Sequence, residues 1–399
     1  MTERRISARS LWQINLAKLF WNLKASFEIP KSKQTITMKQ INYLICLLVM
    51  LMMVTACTGT AVPKKTTPTV SAATETAKQE TIVLMSHDSF DVSAEVMTAF
   101  EKSYNVKVEV LKAGDAGASL NKAILSKEQP MADVFFGVDN TFLSRALDNN
   151  IFEPYDSPLL ADVSANLKLD PKNRLLPIDF GDVCLNYDKE WFIKKGITPP
   201  NSLEDLLKKE YNGLMVVENP ATSSPGLAFL LATVAHFGDP GYLDFWQKLK
   251  AQNIMVVDGW EEAYYNEFTR YKGTHPIVLS YASSPAAEVY FAEKPLTESP
   301  TAAMIAAGTC FRQIEFVGIL AGTPKRKLAE NLIDFMLAVK FQEDIPLKMF
   351  VFPSNQKATL PELFLKYGKI SDKPATIAPD DIAANREKWL TTWTETVLR

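Results

Sequence analysis

Histidine and cysteine are scarce, with three His and four Cys in 399 residues. His87, His236 and His275 are scattered without metal-ligand spacing, and no Cys-x-x-Cys occurs. Both absences argue against a zinc or iron–sulfur centre. A long apolar run is also missing. The most apolar stretch, Tyr43 to Val54, is too short for a confident membrane span. Credible nucleophile–base pairs are lacking too. Ser119-x-x-Lys122 has serine–lysine spacing but no Ser-Asp-Asn or Lys-Thr-Gly partner, so the match reads as chance. Glu261 and Glu262 are adjacent, and on a helix their side chains diverge by about 100°, so they cannot flank one scissile bond. They read instead as first-turn charges that favour the helix dipole.

At 47% hydrophobic, the chain has enough apolar residues for a sizeable core. Its beginning is a leader: Lys39 is a positive n-region, Tyr43–Val54 an apolar core, and Val54-Thr55-Ala56-Cys57 a small-residue cleavage site ending in cysteine. The pattern resembles the lipobox of bacterial lipoproteins, which implies a lipid on Cys57 and attachment to the outer face of a membrane. An ordinary membrane anchor is the alternative, and the Ala-Cys ending disfavours it. Residues 1–37 precede this leader, which leaves Met38 as an alternative initiator to Met1. The first 56 residues hold eight of the 43 Lys/Arg and two of the 46 Asp/Glu, so without them the formal charge is −9. A nucleic-acid role needs a basic footprint and is disfavoured. Residues 57–80 are rich in Thr, Ala, Lys and Pro and read as a flexible tether.

From Thr81 short apolar runs alternate with helical patterns: "TIVLMSH", "SAEVMTAFEKSY", "VKVEVLK", "ASLNKAILS", "ADVFFGV". The alternation resumes after "LLPIDFGDVCLNYDKEWF", and the tail from Lys325 reads as almost wholly helical. This spacing predicts βαβ units in two α/β lobes with mostly parallel sheets. In such sheets ligands sit beyond the carboxyl ends of the strands. Ser86 to Phe90 lies at one such end and serves either as a helix cap or, through His87 and Phe90, as a ligand contact. Ala113 to Ser119 is a Gly-rich turn that lets backbone amides approach a bound group, with Asp115 for a donor or cation. Ser223-Ser224-Pro225 and Ser283-Ser284-Pro285 each follow an apolar run and open a helix, an arrangement suited to an anion and equally that of an ordinary Ser cap. Trp260 and Tyr281 stand at strand ends, where aromatic faces clamp a flat or cationic ring. Of the cysteines, Cys46 lies in the leader, and Cys184 and Cys310 are either one disulfide or two buried thiols.

The chain from about Thr81 onward resembles the solute-binding components of ABC importers, specifically thiamine-binding proteins. The likeness rests on "HDSF", "ADVFFGVDN", "PIDFGDVCLNYDK", "TSSPGLAFLL", "DGWEEAY", "VLSYASSPA", "IDFMLAVKFQEDIP" and "REKWLTTW", in the family's order. It implies a two-lobed type II periplasmic binding protein fold that closes over thiamine or its phosphates, without catalysis or cofactor, as a monomer serving an ABC permease. It divides the chain into leader (1–56), tether (57–80), lobe 1 (81–182), lobe 2 (183–308), and a return to lobe 1 with C-terminal helices (309–399). Asp115 and Ala116 match the family's Asp-Gly, Ser223 and Ser224 its first Ser/Thr helix start, Trp260 its tryptophan, and Tyr281, Ala282, Ser283 and Ser284 its Tyr-Thr-Thr-Ser run. The implied roles are ring contacts for Trp260 and Tyr281, the cationic part or an amine for Asp115, and phosphate for the Ser-rich helix starts. Three positions depart: His87, Ala287 and Phe350 stand where the family has Tyr, Tyr and Trp. Less aromatic area means weaker stacking or a different heterocyclic or phosphorylated ligand. The lobe crossings contain Cys184 and Cys310, so the resemblance also implies a disulfide between neighbouring hinge strands. Other small solutes (ferric iron, a polyamine) and an extracytoplasmic hydrolase are the competing readings. Tyr264 and Tyr265 lie together on a helix body, unlike the tyrosine pair of ferric-binding relatives.

Overall fold

The computed structural model describes residues 79–399, which belong to one compact unit. The lipobox at Cys57 and nearly all of the tether lie outside the described residues.

The first strand, β1 (Glu80–Ser86), begins one residue earlier than the sequence pattern placed it. It pairs in parallel with β2 (Val106–Lys112) and β3 (Val134–Asp139), as βαβ alternation requires. Helices α1 (Ala94–Tyr104) and α2 (Ala116–Leu125) make the crossovers. The Pro-containing run folds as one long strand, β5 (Leu176–Asp188). Its first part pairs antiparallel with β10 (Phe311–Leu320), and its last part with β8 (Ile277–Tyr281). A second parallel set, β8, β6 (Met215–Glu218) and β7 (Met255–Val257), extends from there, giving the order β2-β1-β3-β10-β5-β8-β6-β7. The parallel expectation therefore holds for the outer strands, whereas β5 and β10 run antiparallel to their neighbours. A strand that leaves one half of the sheet and enters the other has no helical crossover to reverse it.

Helix α5 (Ser224–Phe237) is apolar on all faces and is buried from Ser224 through Val234. The C-terminal helix (Pro379–Val397) fixes the rear of the molecule. Its Trp393 is fully buried edge-on against Trp246, with centroids 5.4 Å apart, and its Arg386 lies over the Phe142 ring. The tail is less helical than its periodicity suggests, because Phe352–Pro353 forms a short strand on β5. Cys184 on β5 and Cys310 beside β10 form a disulfide with Cα atoms 4.5 Å apart, both fully buried. Among the described residues, no helix is long and apolar enough to cross a membrane.

Candidate functional site

A cavity of about 270 Å³ opens where β1, β2 and β8 end. It gathers nine of the ligand contacts singled out from sequence: His87, Phe90, Asp115, Ala116, Ser224, Trp260, Tyr281, Ser284 and Phe350. Three others do not reach it. Ser223 is fully buried, Ser283 gives its hydroxyl hydrogen to the Phe350 carbonyl, and Ala282 packs on the Cys184–Cys310 disulfide.

Asp115 caps α2, its Oδ1 accepting from the Ala116 N–H at 2.6 Å. Its Oδ2 accepts from the Trp260 N–H at 2.9 Å, so one carboxylate ties the α2 start to the segment after β7. A second tie runs nearby, from the Ala118 N–H to the Thr222 carbonyl at 3.2 Å. Burial raises the Asp115 carboxyl, against the lowering effect of the Trp260 N–H. Replacing Asp115 with alanine removes both bonds. The expected loss is about 1 kcal/mol or more of stability, read as a lower urea midpoint; an unchanged midpoint would show that neither bond contributes.

Trp260 lines the cavity together with Tyr281, and within the protein it has an aromatic neighbour of its own. It stacks on Tyr264, with centroids 5.0 Å apart at 22°, and its Nε1 donates to Ser280 Oγ at 2.8 Å. The cause is local: Glu262–Glu267 is π-helical rather than α-helical, and the wider turn brings Tyr264 under the indole. Tyr264 in turn donates to Glu288 at 2.8 Å, as does Tyr271 at 3.1 Å. Tyr281 lies over Gly181, where an added Cβ would come within 3.1 Å of its ring, and donates to Gln313. Phe350 sits in left-handed backbone, φ 56°, held by Ser283, and packs on Tyr290 and Phe291 at the cavity mouth. Strain of this kind persists only where neighbours fix it.

The Ser-rich helix starts are less open to an anion than their sequence implied. Ser284 Oγ is engaged with Ser280 Oγ at 2.8 Å and the Tyr281 N–H at 3.2 Å. Near α5, Glu218 is fully buried with neither carboxylate oxygen partnered. Burial first, then the Asp115 charge, pushes its carboxyl well above the usual range. The lining carries Asp88, Asp91, Asp115, Glu261 and Glu315 against Lys112, Lys348 and His87. Both lysines are already engaged, Lys112 with the Asp88 carbonyl at 2.6 Å and Lys348 with Asp91 at 3.3 Å.

Sequence reasoning missed Glu315, Tyr264, Tyr265 and Tyr271 as lining residues and assigned Glu261 only to the helix start. The signal for Glu315 was present: "FRQIEFVGIL" places Gln313 and Glu315 on one face of a strand that is apolar from Phe316 onward.

Residues 129–368 match the family of bacterial extracellular solute-binding proteins. A thiamine-binding periplasmic protein of Escherichia coli is 32% identical over 308 residues, covering 76% of this chain and 88% of that protein. One from Brucella suis is 31% identical over 321 residues, covering 79% and 91%. A solved periplasmic thiamin binding protein superposes with a TM-score of 0.70 at 28% identity, covering 80% of this chain and 97% of the other. The fold is the two-lobed type II periplasmic binding protein fold, with β5 and β10 common to both halves of the sheet. The chain belongs to the bacterial extracellular solute-binding proteins, a family of binding proteins that work outside the cytoplasm.

Proposed function

We propose that this protein captures thiamine, or a thiamine phosphate, outside the cytoplasm and delivers it to an ABC importer. One observation carries the reading: a single cleft sets a stacked Trp260–Tyr264 wall beside an excess of carboxylates. Thiamine presents two flat rings, one a permanent cation, and that wall and charge suit it. The likeness to thiamine-binding relatives supports the same ligand. A phosphate would meet the rim lysines Lys112 and Lys348 more readily than the Ser-rich helix starts, whose hydroxyls bond within the protein or are buried.

In this reading Cys57 carries the lipid, residues 57–80 tether a monomer to the membrane, and the lobes span 81–182 and 183–308, with 309–399 returning to lobe 1. The protein holds its ligand without turning it over. Closure of the lobes is what the importer recognises.

Calorimetric titration of the purified protein with thiamine, its monophosphate and its diphosphate tests the reading. Binding of at least one is expected. Absence of heat and of any thermal shift with all three would sink the thiamine assignment and leave transport of another solute open. Ferric iron is less well served: Tyr264 is buried and bonded to Glu288, and among the described residues no group of three His, Cys, Asp or Glu is placed to hold a metal.

A further inference from the structure

The floor of the cleft carries polar side chains in the middle of the sheet. Glu315 on β10 is directly opposite Asp139 on β3 and Asp179 on β5. Opposed residues of antiparallel strands have Cβ atoms about 4.5–5.5 Å apart on the same face, so three carboxyl groups share one strip. Their surroundings differ. Asp139 Oδ1 accepts from the Thr141 hydroxyl at 2.7 Å and the Thr141 N–H at 3.1 Å, and its other oxygen accepts from Gln313. Asp179 is 1% exposed, and neither of its oxygens has a hydrogen-bond partner. Glu315 reaches the cavity, where its Oε1 lies 3.3 Å from His87 Nε2.

That His87–Glu315 contact is not aligned as a hydrogen bond, so the attraction is mainly between charges. Its position is built in. The imidazole packs on Gly137, which has φ +103° and where a Cβ would fall 2.4 Å from His87 Cδ2. Any larger residue on β3 at that point would evict the ring.

Carboxyl groups this close and this dry cannot all ionise. Burial, followed by the Glu315 charge, holds the Asp179 carboxyl well above the carboxylate range, and burial pushes Asp139 up to about 7. Burial alone would lower the His87 imidazole, yet the Glu315 charge and contact outweigh it and the net shift is upward. Asp115 at the start of α2 adds to that rise, and Lys112 at the end of β2 opposes it. Tyr281 on β8 stays neutral, its hydroxyl pushed well up by burial and then by these carboxylates.

We propose that Glu315 is the counter-charge for the ligand's cation, and that a His87 imidazolium fills that role in the ligand-free protein. The inference rests on the cationic-ligand reading above. On binding, the ligand's positive charge replaces that of His87, whose Nε2 proton leaves to solvent, so charge in the cleft is conserved. Affinity for a permanent cation then rises with pH across the range where His87 loses its proton, and levels off above it. Protonation of Asp179 and Asp139 at lower pH acts in the same direction.

Calorimetry with thiamine in two buffers of different protonation enthalpy, from pH 5.5 to 8.5, measures the proton. Nearly one proton released is expected at the acid end, with an association constant rising by up to about tenfold per pH unit there. His87→Gln is expected to cut the release and make the profile shallower, leaving only the part that Asp139 and Asp179 contribute. Binding with identical heats in both buffers throughout would overturn the proposal. A second measurement needs no ligand: NMR titration of the His87 ring, expected to fall by about a unit or more in Glu315→Gln. If no thiamine species binds, the functional reading fails, and this titration judges the cluster alone. An unchanged imidazole titration in Glu315→Gln would overturn it.

Discussion

Replacing Cys184 and Cys310 together with alanine is expected to lower the stability of the folded unit by about 4 to 5 kcal/mol. The size follows from the loop that the bond closes, with its ends 126 residues apart in sequence. Cross-linking so long a loop removes much of the denatured chain's freedom. The bond joins β5 to the start of β10, and its place in the sheet adds to its weight, because those two strands pass through both halves. In a unit of this size the loss corresponds to a drop in Tm on the order of 6 °C. Both sulfurs are buried, so reductant acts only when the chain opens, and the reduced protein should be compared after unfolding and refolding. Equal urea midpoints for the oxidised protein and the double variant would show that the denatured chain gains nothing from losing the bond. Such a bond also suits the oxidising space in which this family works.

The same two strands show what could and could not be read from sequence. Alternating apolar and helical runs located β1 through β3 and the second parallel set, because strand burial leaves a period-two or wholly apolar mark. The crossing of β5 was legible only through the family likeness. Thirteen residues of "LPIDFGDVCLNYD" carry no local sign that the first part pairs with β10 and the last with β8. The Ser-Ser-Pro starts were found, since proline and serine mark helix entry by local rules. Where their hydroxyls point was not, because Ser283 is claimed by Phe350, a residue 67 positions away. The π-helical turn was illegible for a similar reason. Its wider hydrogen bonding, from the Phe268 N–H to the Ala263 carbonyl, gains support from aromatic stacking and from Glu288, neither of which a helical wheel displays. Glu315 was overlooked for a different cause: one buried carboxylate in a strand has meaning only once Asp139, Asp179 and His87 are seen around it.

Trp260→Ala is expected to weaken ligand binding by about 100-fold or more, roughly 3 kcal/mol, the scale of a central aromatic anchor. The indole is the half-buried member of a stack whose other member, Tyr264, is buried and bonded to Glu288. Removing it takes away a wall of the cavity while leaving the stack's foundation in place. Two bonds near it survive the change. The residue 260 N–H still reaches Asp115, being backbone, and Ser280 Oγ keeps Ser284 as a partner when Nε1 is lost. The folded unit should therefore retain most of its stability, and the two quantities separate: affinity by calorimetry, stability by urea midpoint. Trp260→Phe sharpens the division, since it keeps a stacking ring and loses only the Nε1 bond to Ser280. It should recover most of the lost affinity if ring contact is what counts. A large fall in the urea midpoint of Trp260→Ala with affinity retained would show the opposite, that Trp260 supports the lobe and the ligand rests elsewhere.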